Sequence, residues 1–486
     1  MTDIHFGTDG WRGIIARDFT FENVGRVAQA IAHFLSSPKR KRLEIYKKWG
    51  VAYRPPEAGV VVGYDTRFLS KEFAIQVGRV LKSNGIPVYV SNAPVPSPVL
   101  SYAVAHQKLA CGVMITSSHN PPEYNGIKIK PEFGGSAPPL ATQLIESFLG
   151  DTFLWNGEAL EENDLKTPYL TRIKEIINLD ALKGAPLRVI IDPMYGSAQG
   201  YVAQILKELN IKHIQIRGRN DPYFGGKNPE PIEKNMGPLR AVIASENLNT
   251  KKDEILIGVA TDGDGDRVAG MDEHGTLIDS HRCYALIFQH LLERGWRGKA
   301  VKSFTLTDMA NKIAQEHKIA LEEVPVGFKY ICEKMLKEDV LIGGEESGGI
   351  GIKNHIPERD GVLMSLLLLE IVATHQKPMS QIIEDMMQQI GHHYYDRKDL
   401  HLEKRLELVE RLKRKPPERF AERTVQAVET LDGVKLRFGD GWLLFRASGT
   451  EPLLRIYCEM DSAQKVQEVL DEAERFARGD LKLWLG

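Results

Sequence analysis

Short apolar runs alternate with amphipathic segments along most of the chain, and one arrangement occurs three times. Each time, an apolar run is followed by a stretch with helical periodicity and then by a second apolar run. The first runs are "AGVVVGYDTR" (58–67), "LRVIIDPMYG" (187–196) and "KAVKSFTLT" (299–307). Strands that are buried on both faces have continuous apolar sequences, so this order predicts parallel βαβ units. The wide separation of the three units indicates three related α/β domains and not a short-period solenoid.

The last part of the chain has a different pattern. From Thr424 onward, short strand-like segments are separated by "DG" and "GDG" turns, and the amphipathic segment "SAQKVQEVLDEAERFARG" comes after them. Strands followed by a helix predict an α+β domain. We therefore expect three similar α/β domains of βαβ type and a C-terminal α+β domain, with boundaries at 1–160, 161–278, 279–385 and 386–486.

Composition narrows the class of protein. Charged residues make up 26% of the chain and the formal net charge is −2, so no overall field attracts nucleic acid or a membrane surface. The most apolar run, residues 362–373, is too short to cross a bilayer and contains Glu370, which predicts a buried helix. The chain begins without the apolar core of a signal peptide, and its four cysteines form no C-x-x-C pattern. We expect a cytoplasmic protein with reduced thiols, in which the basic segment 36–58 is an inserted, solvated surface loop. The sequence does not indicate an oligomeric state.

Three aspartates stand at alternate positions in "ATDGDGDRVAG" (260–270), namely Asp262, Asp264 and Asp266. Carboxylates this close repel one another unless a cation lies among them, and hard oxygen ligands suit Mg²⁺ or Ca²⁺. An EF-hand is excluded, because Arg267 stands where that loop needs glycine and the preceding "EILIGVA" indicates a strand. The pattern predicts a metal-binding loop at the carboxyl end of a strand, where α/β sheets bind ligands. A flexible acidic turn is the alternative.

A second polar segment, "TSSHNPPEYNGIK" (116–128), comes directly after the apolar run "CGVMI" and is predicted to be a stiff loop after a strand. It has Ser118 beside His119, with Lys128 further along. A serine that accepts and returns a phosphoryl group needs positive charge around that group and a proton donor or acceptor near the hydroxyl. A phosphorylated Ser118 also supplies a further oxygen ligand of the kind that Mg²⁺ takes from phosphates. Taken alone, Ser118 beside His119 is more simply explained as an ordinary turn.

Three further segments carry polar groups that suit phosphates or sugars. "FRASGTEPLLR" (445–455) combines arginines and hydroxyls with a glycine that lets backbone N–H groups come close, which suits a phosphate. "GGEESGGIG" (343–351) has two carboxylates and a serine among glycines, which suits sugar hydroxyls. "VGFKY" (326–330) has a lysine directly after a predicted strand. Each segment has a plain turn or surface loop as its alternative.

In this order the segments resemble the α-D-phosphohexomutase superfamily, the phosphoglucomutases and phosphomannomutases. The resemblance extends almost from end to end and rests on "FGTDGWRG", "TSSHNPPEYNGIK", "TDGDGDR", "GEESGG" and "RASGTEP". It implies a four-domain, heart-shaped enzyme in which each domain contributes one loop to a central cleft. It also implies reversible transfer of a phosphoryl group between the 1- and 6-positions of a hexose phosphate. Phosphoserine, a bound glucose 1,6-bisphosphate and Mg²⁺ would take part in that transfer.

The resemblance further implies a role for individual residues. Ser118 is the expected phosphoserine, and Asp262, Asp264 and Asp266 are the expected Mg²⁺ ligands together with its phosphate. The residues expected to line the transfer site are Arg12, His119, Lys128, Arg267 and Lys329. The residues expected to contact the sugar hydroxyls or the phosphates of the substrate are Glu345, Ser347, Arg359, Arg446, Ser448, Gly449, Thr450 and Arg455.

Two segments bear on the choice of substrate. "GEESGG" has Gly349 where the phosphoglucosamine mutase branch has histidine in "GEQSGH", and "HIPERDG" (355–361) resembles "HIxEKDG" of the phosphoglucomutase branch. Both favour glucose phosphates, whereas "FGTDGWRG" resembles "FGTDGIRG" of the glucosamine branch. Arg359 replaces a lysine and is a poor general base, which leaves Lys128 or His119 for proton transfer. The alternatives are a mannose- or glucosamine-phosphate mutase, a glucose-1,6-bisphosphate synthase and a non-catalytic sugar-phosphate sensor.

Overall fold

The computed structural model describes residues 4–7, 10–38, 44, 46–251, 253–449 and 451–479. Within these residues, four main sheets succeed one another along the chain, and helices are interleaved with their strands. The predicted α/β class is therefore confirmed.

The first sheet is mixed, with the strand order β1-β5-β4-β2-β3-β6. Its strands are β1 (Gly10–Ile14), β2 (Val60–Tyr64), β3 (Val88–Ser91), β4 (Cys111–Ile115), β5 (Tyr124–Pro131) and β6 (Glu161–Asn163). Its helices are α1 (Phe21–Leu35), α2 (Ser70–Ser83), α3 (Ser97–His106) and α4 (Pro139–Glu146). The prediction of a loop as far as residue 128 was wrong at its end, because the antiparallel strand β5 already begins at Tyr124.

The second sheet has the order β11-β10-β9-β7-β8. Its strands are β7 (Leu187–Asp192), β8 (Lys212–Gln215), β9 (Ile255–Thr261), β10 (Val268–Met271) and β11 (Leu277–Ile278). The helices of this region are α5 (Lys166–Ile176), α6 (Leu179–Leu182), α7 (Tyr201–Glu208) and α8 (Gly237–Asn247).

The third sheet has the order β13-β12-β14-β15. Its strands are β12 (Lys299–Ser303), β13 (Leu321–Val324), β14 (Val340–Gly344) and β15 (Ile350–Ile352). The helices here are α9 (Ser280–Glu293), α10 (Met309–Glu316), α11 (Phe328–Lys337), α12 (Gly361–His375) and α13 (Met379–Ile390).

The fourth sheet is antiparallel throughout and has the order β16-β22-β21-β20-β19. Its strands are β16 (Tyr394–His401), β19 (Ala427–Glu429), β20 (Val434–Arg437), β21 (Gly441–Ala447) and β22 (Leu453–Met460). A separate pair, β17 (Arg419–Phe420) and β18 (Arg423–Thr424), and the helices α14 (Arg405–Arg414) and α15 (Ala463–Arg478) complete this α+β region.

The first three sheets share one local arrangement. A central strand (β2, β7 or β12) pairs in parallel with two neighbours, and the second of these neighbours in chain order is succeeded by an antiparallel strand. The connections that lead into the antiparallel strands are β4–β5, β9–β10 and β14–β15. They contain the serine, aspartate and glutamate segments singled out from the sequence. The three segments therefore lie at the carboxyl ends of equivalent strands, where α/β sheets bind ligands.

The apolar run at 362–373 forms the buried helix α12, as predicted. Every residue from Gly361 to Ala373 in it is buried, because it packs against α9 on one side and against β9 and β10 on the other. All four cysteines are buried, and none forms a disulfide bond with another described residue. No helix in the described part of the chain is long and apolar enough to cross a membrane.

The basic segment 36–58 is only partly as expected. Residues 39–42, which hold most of its basic cluster, lie outside the described residues. The prediction of a wholly solvated loop was wrong for the second half of the segment, because Tyr46 and Trp49 are buried in the first domain. Trp49 stacks there on Phe133 at a centroid distance of 6.0 Å.

The strand pairing and the helix bounds suggest different positions for two of the domain boundaries that were predicted from the sequence. Strand β6 pairs with β3 of the first sheet, so we propose that the first domain extends to Asn163 and not to residue 160. Residue 386 lies inside α13, so we propose that the last domain begins after Ile390.

Candidate active site

The connections β4–β5 and β9–β10 meet in a buried cluster. The hydroxyl of Ser118 donates a hydrogen bond to Asp262 Oδ2 at 2.8 Å. Lys128, which points from β5 into the same cluster, donates to Asp264 Oδ2 at 2.6 Å and to Asp266 Oδ2 at 3.2 Å. All five side chains are buried. The serine and lysine of the first domain and the three aspartates of the second domain are therefore one hydrogen-bonded group.

The serine loop is held in place by Arg67, a residue that no sequence motif singled out. Its buried guanidinium donates to four carbonyl oxygens of the loop, those of Ser118, Asn120, Pro121 and Tyr124. Asp65 accepts from Arg67 Nε at 3.1 Å and from the hydroxyl of Thr116 at 2.7 Å. Both residues belong to "YDTR" at the end of β2. The sequence signal that could have identified Asp65 and Arg67 is a pair of opposite charges directly after a buried strand.

The β4–β5 and β9–β10 connections can approach each other closely because of the backbone conformation at Ser118 and the absence of a side chain at Gly263. Ser118 has a φ of +51°, which is uncommon for a residue other than glycine and is often found at functional sites. Its N–H donates to the hydroxyl of Thr116 at 2.9 Å. A Cβ atom at Gly263 would lie 2.5 Å from the carbonyl oxygen of Ser118, so only glycine fits there. The first glycine of the aspartate loop is therefore a requirement for contact between the domains.

The three aspartates are not electrostatically equivalent. Burial and the nearby charges of Asp264 and Asp266 raise the pKa of Asp262 well above its usual value. Burial also acts to raise the pKa of Asp264, but the charge and hydrogen bond of Lys128 outweigh it and lower that pKa. Burial likewise opposes ionisation of Asp266, and the Arg359 guanidinium lowers its pKa. The pKa of Asp262 is therefore shifted in the opposite direction to those of Asp264 and Asp266.

The residues of this cluster fit a hard divalent cation. Asp262, Asp264 and Asp266 each offer a carboxylate oxygen, and these oxygens lie within 4.8 Å of one another. Asp264 Oδ1 and Asp266 Oδ1 are buried and accept no hydrogen bond from any described residue. Buried acceptors without partners are costly, and a cation among them would remove both this cost and the repulsion. Mg²⁺ and Ca²⁺ prefer such all-oxygen ligand sets.

Cationic and basic groups surround the serine. The imidazole nitrogen His119 Nδ1 is 3.5 Å from Ser118 Oγ. Burial, Arg267 and Arg12 hold the pKa of His119 well below 6.5, so its ring is neutral at neutral pH. Arg12, on β1, is exposed and donates to Asn120 Oδ1 at 2.9 Å.

Arg267 comes directly after the aspartates and is fixed by a partner that the sequence did not reveal. Its guanidinium donates to Glu230 Oε1 at 3.2 Å, and its backbone N–H donates to Asp262 Oδ1 at 3.1 Å. Glu230 lies far from the recognised segments in sequence, in an irregular stretch without a pattern. Only the tertiary structure brings it to the site.

The β14–β15 connection joins the cluster through Arg359. Its guanidinium lies 3.0 Å from Asp266 Oδ2 and 3.6 Å from Glu345 Oε2. The other oxygen of Glu345, Oε1, accepts from the N–H of Gly327 at 2.9 Å. A Cβ atom at Gly349 would lie 2.1 Å from Arg359 Cδ, so the arginine fills the space that any side chain at 349 would need.

The other two residues predicted for the third domain are more peripheral. Lys329 lies in the first turn of α11, half-buried, and its ammonium nitrogen is 5.1 Å from the centroid of the Tyr330 ring. Ser347 is half-buried at the tip of the β14–β15 connection. Neither has a described contact with Ser118 or with the aspartates.

The fourth domain reaches the site through intermediaries. Arg446 pairs with Asp432 at 3.0 Å, and the second carboxylate oxygen of Asp432 accepts from the N–H of Val326 at 2.9 Å. Glu346 of the third domain accepts hydrogen bonds from Tyr395 and Arg397 of the fourth, at 3.0 and 2.9 Å. The linking role of these residues was not predicted, although Glu346 is one of the two carboxylates of "GGEESGGIG".

The remaining predicted residues of the fourth domain lie around the β21–β22 connection. Ser448 is buried, and its carbonyl oxygen accepts from Arg405 Nε at 3.0 Å. Gly449 is exposed, and Arg455 is half-buried on β22 with a buried Nε that has no hydrogen-bond partner in the described part of the chain. Thr450 lies outside the described residues. The structure thus joins the serine and aspartate loops directly, the third loop through Arg359, and the fourth through Asp432 and Glu346.

Comparison with known proteins gives matches along nearly the whole chain. Four models of phosphoglucomutase/phosphomannomutase domains match it: the alpha/beta/alpha domains I, II and III over residues 3–152, 167–275 and 279–390, and the C-terminal domain over 403–475. A phosphoglucomutase/phosphomannomutase of Thermococcus kodakarensis is 30% identical over 473 residues, which are 96% of each chain.

Two further relatives carry different names. A phosphoglucosamine mutase of Carboxydothermus hydrogenoformans is 28% identical over 484 residues, covering 96% of this chain and 97% of that one. A solved structure from Thermus thermophilus, described as a candidate phosphomannomutase, is 37% identical with a TM-score of 0.85 and covers 98% of this chain and 99% of that one. The relatives thus agree on the type of reaction and differ in the named sugar.

We predict that Mg²⁺ binds at the three aspartates and releases protons as it does so. Asp262, with its raised pKa, must lose any proton before it becomes a ligand, so the affinity should fall as the pH is lowered. Calorimetric titration in buffers of different ionisation enthalpy measures both effects. Asp264→Asn should lose the binding, whereas Asp253→Asn, an exposed aspartate of the same domain, should keep it. Undiminished binding by Asp264→Asn would contradict the assignment.

Proposed function

The chain belongs to the phosphoglucomutase/phosphomannomutase family of the α-D-phosphohexomutases, and from this we propose that it interconverts glucose 1-phosphate and glucose 6-phosphate. The observation that carries the proposal is the hydrogen bond from the Ser118 hydroxyl to Asp262 inside a buried cluster of carboxylates and cations. A serine hydroxyl beside a cation site, surrounded by lysine and arginine, suits phosphoryl transfer better than binding alone.

In the proposed reaction, Ser118 carries the phosphoryl group. The free hydroxyl of a hexose monophosphate attacks the phosphorus, the bond from phosphorus to Ser118 Oγ breaks, and a 1,6-bisphosphate forms. The bisphosphate then turns over in the cleft and returns its other phosphoryl group to Ser118. In each transfer the attacking hydroxyl loses one proton and the leaving oxygen gains one, so a proton acceptor and a proton donor are both required.

The residues around Ser118 suggest which groups stabilise the negative charge of the transferred phosphoryl group and which group accepts the proton of the attacking hydroxyl. Lys128, Arg12 and Arg267 supply positive charge around the group in transfer, which is the main catalytic need in phosphoryl transfer. Mg²⁺, when bound, would neutralise further charge on the phosphoryl oxygens. The neutral ring of His119 supports a role as proton acceptor, because Lys128 is already bound by two carboxylates.

The preference for glucose is supported by the space around Glu345. Its carboxylate lies 3.6 Å from the guanidinium of Arg359, whose side chain fills the space beside Gly349. Because Arg359 already offsets the charge of Glu345, a protonated amino sugar would bring a second cation to this pair, whereas a neutral hexose would not. We therefore propose that glucose phosphates are turned over faster than glucosamine phosphates, with mannose phosphates as a second substrate.

Phosphorus NMR of product mixtures tests this proposal. The Mg²⁺-loaded protein is mixed separately with glucose 1-phosphate, mannose 1-phosphate and glucosamine 1-phosphate, each with a trace of hexose bisphosphate. We expect fast formation of glucose 6-phosphate and slower reaction of the others. Faster reaction of glucosamine 1-phosphate would overturn the glucose assignment, and accumulation of bisphosphate without isomerisation would indicate a synthase.

Two serine variants serve as matched controls for that experiment. Ser118→Ala should abolish turnover and leave sugar-phosphate binding intact. Ser117→Ala should remain active, because the neighbouring hydroxyl is buried without a hydrogen-bond partner among the described residues. Turnover by Ser118→Ala would remove this serine from the mechanism, and loss of turnover in both variants would point to damage of the loop.

We propose that Arg446 binds the non-reacting phosphate. Arg446→Ala should raise KM by about 10- to 100-fold and change kcat less, since a hydrogen bond to a charged group is worth about 1.5–3 kcal/mol. Arg423→Ala is the matched control, because Arg423 lies in the same domain, pairs with Asp440 and is equally exposed, at 18% against 19% for Arg446. An unchanged KM in Arg446→Ala would exclude the role.

Gly349 and Arg359 should behave as one unit. Gly349→Ala places a Cβ atom within 2.1 Å of Arg359 Cδ, so the arginine must move away from Asp266 and Glu345. We expect kcat/KM to fall by about 10-fold or more in Gly349→Ala and in Arg359→Ala, and no further in the double variant. Gly150→Ala, where a Cβ meets no described atom within 4 Å, is the control. Additive losses would show that the two positions act separately.

A further inference from the structure

A second group of potential metal ligands lies in the third domain, away from the cluster around Ser118. The helices α9, α12 and α13 enclose a cavity of about 210 Å³. His290 and Glu293 face it from α9, and His375 faces it from the last turn of α12. The spacing of three residues puts His290 and Glu293 on the same face of α9. Neither the sequence motifs nor the proposed reaction uses these residues.

The three side chains are close enough to share one ion. Each offers a ligand atom, and these atoms lie within 4.8 Å of one another. The distance from His375 Nε2 to Glu293 Oε2 is 3.4 Å. Bonds of about 2.0–2.1 Å in a tetrahedral zinc site separate the ligand atoms by about 3.3 Å. One edge of such a tetrahedron is therefore already present.

His290 supplies an independent indication of a ligand. Its ring is only 3% exposed, and Nε2 is hydrogen-bonded to Glu370 Oε1 at 2.8 Å. The carboxylate of Glu370 is held in turn by the N–H of Asn178 at 2.7 Å and by Arg294 at 3.1 Å. An ionised Glu370 accepts this hydrogen bond from Nε2–H, which leaves the lone pair of the ring on Nδ1. That nitrogen is buried and has no hydrogen-bond partner within the described chain.

This arrangement is the usual outer-shell support of a metal-binding histidine. A carboxylate that accepts from one ring nitrogen fixes the tautomer and makes the other nitrogen a better ligand. A buried nitrogen without a partner is costly, and a metal ion would remove that cost. We propose that His290, Glu293 and His375 bind a divalent transition-metal ion of the zinc type.

The ligand set separates this site from the aspartate cluster. Two imidazoles and one carboxylate suit Zn²⁺ and similar ions, whereas Mg²⁺ prefers oxygen ligands alone. The cavity beside the three side chains has room for a water molecule as fourth ligand, and Asp385 of α13, which is paired with Lys377 at 2.7 Å, also lines it. The two sites should therefore fill with different ions from a mixture.

The ion would have a structural effect on the sugar-binding domain. It joins the end of α9 to the end of α12, and α12 begins directly after Arg359 and Asp360. The 15 residues of α12 span about 20 Å, so the ion lies too far from Arg359 to take part in chemistry. Binding should stabilise the third domain and leave the basal rate with Mg²⁺ unchanged.

Titration of the full-length, metal-stripped protein with Co²⁺ and Zn²⁺ in excess Mg²⁺ tests the proposal. The Mg²⁺ fills the aspartate cluster, and Co²⁺ with mixed nitrogen and oxygen ligands in four-coordination absorbs visible light strongly. We expect one equivalent of Co²⁺ to give this absorption, Zn²⁺ to displace it, and Zn²⁺ to raise the thermal midpoint. Asp264→Asn should respond in the same way, because it changes only the other site.

His375→Gln and Glu293→Gln are the informative variants. Their side chains are 35% and 36% exposed, so neither change should disturb the core. Each should weaken Zn²⁺ binding by more than about 10-fold and lose the Co²⁺ absorption, with its Mg²⁺-supported activity retained. His401→Gln, which alters an exposed histidine–glutamate pair, should bind like the wild type. Equal Zn²⁺ binding in wild type and both variants, or no four-coordinate Co²⁺ signal in the wild type, would overturn the proposal.

Discussion

The structure depends on keeping three carboxylates together in a place that water does not reach. Asp262, Asp264 and Asp266 are buried, and their repulsion must be balanced by cations. Those cations come from different parts of the chain: Lys128 from the first domain, Arg267 from the aspartate loop itself and Arg359 from the third domain. The domains therefore cannot separate here without leaving charge uncompensated. The close approach of the serine loop to the aspartate loop depends on three features. These are the positive φ of Ser118, the absence of a side chain at Gly263, and the hydrogen bonds that Arg67 donates to the serine loop.

Local patterns were sufficient to predict the central strands of the first three sheets, the long buried helix, and the serine and aspartate loops. Apolar runs marked β2, β7 and β12, and the long apolar segment marked α12, because burial on all sides leaves a continuous signature in the sequence. The aspartates and Ser118 were recognisable because their chemistry is concentrated within a few consecutive residues. These features depend on neighbours in sequence, and a single sequence displays such neighbours directly.

The features that the sequence did not predict depend on contacts between distant segments of the chain. Arg67 and Glu230 act on loops far from them in sequence, and no periodicity marks either residue. The start of β5 at Tyr124 depends on pairing with β1 and β4, which overrides the loop-like composition of the segment. Tyr46 and Trp49 were assigned to solvent because charged neighbours dominate their segment, whereas burial is decided by the surface on which they pack. The domain boundaries shifted for the same reason, since β6 is short and polar and its pairing with β3 alone assigns it to the first sheet.

The contact between Gly349 and Arg359 limits the order in which this site can change during evolution. If a histidine appeared at position 349 first, its side chain would overlap with that of Arg359 and bring no benefit. If the side chain at position 359 became shorter first, it would leave space for the histidine. Lineages with a large residue at one position should therefore have a smaller one at the other, and intermediates with both should be rare. The history of sugar preference in such a site would then follow pairs of positions, and single positions would be poor guides to it.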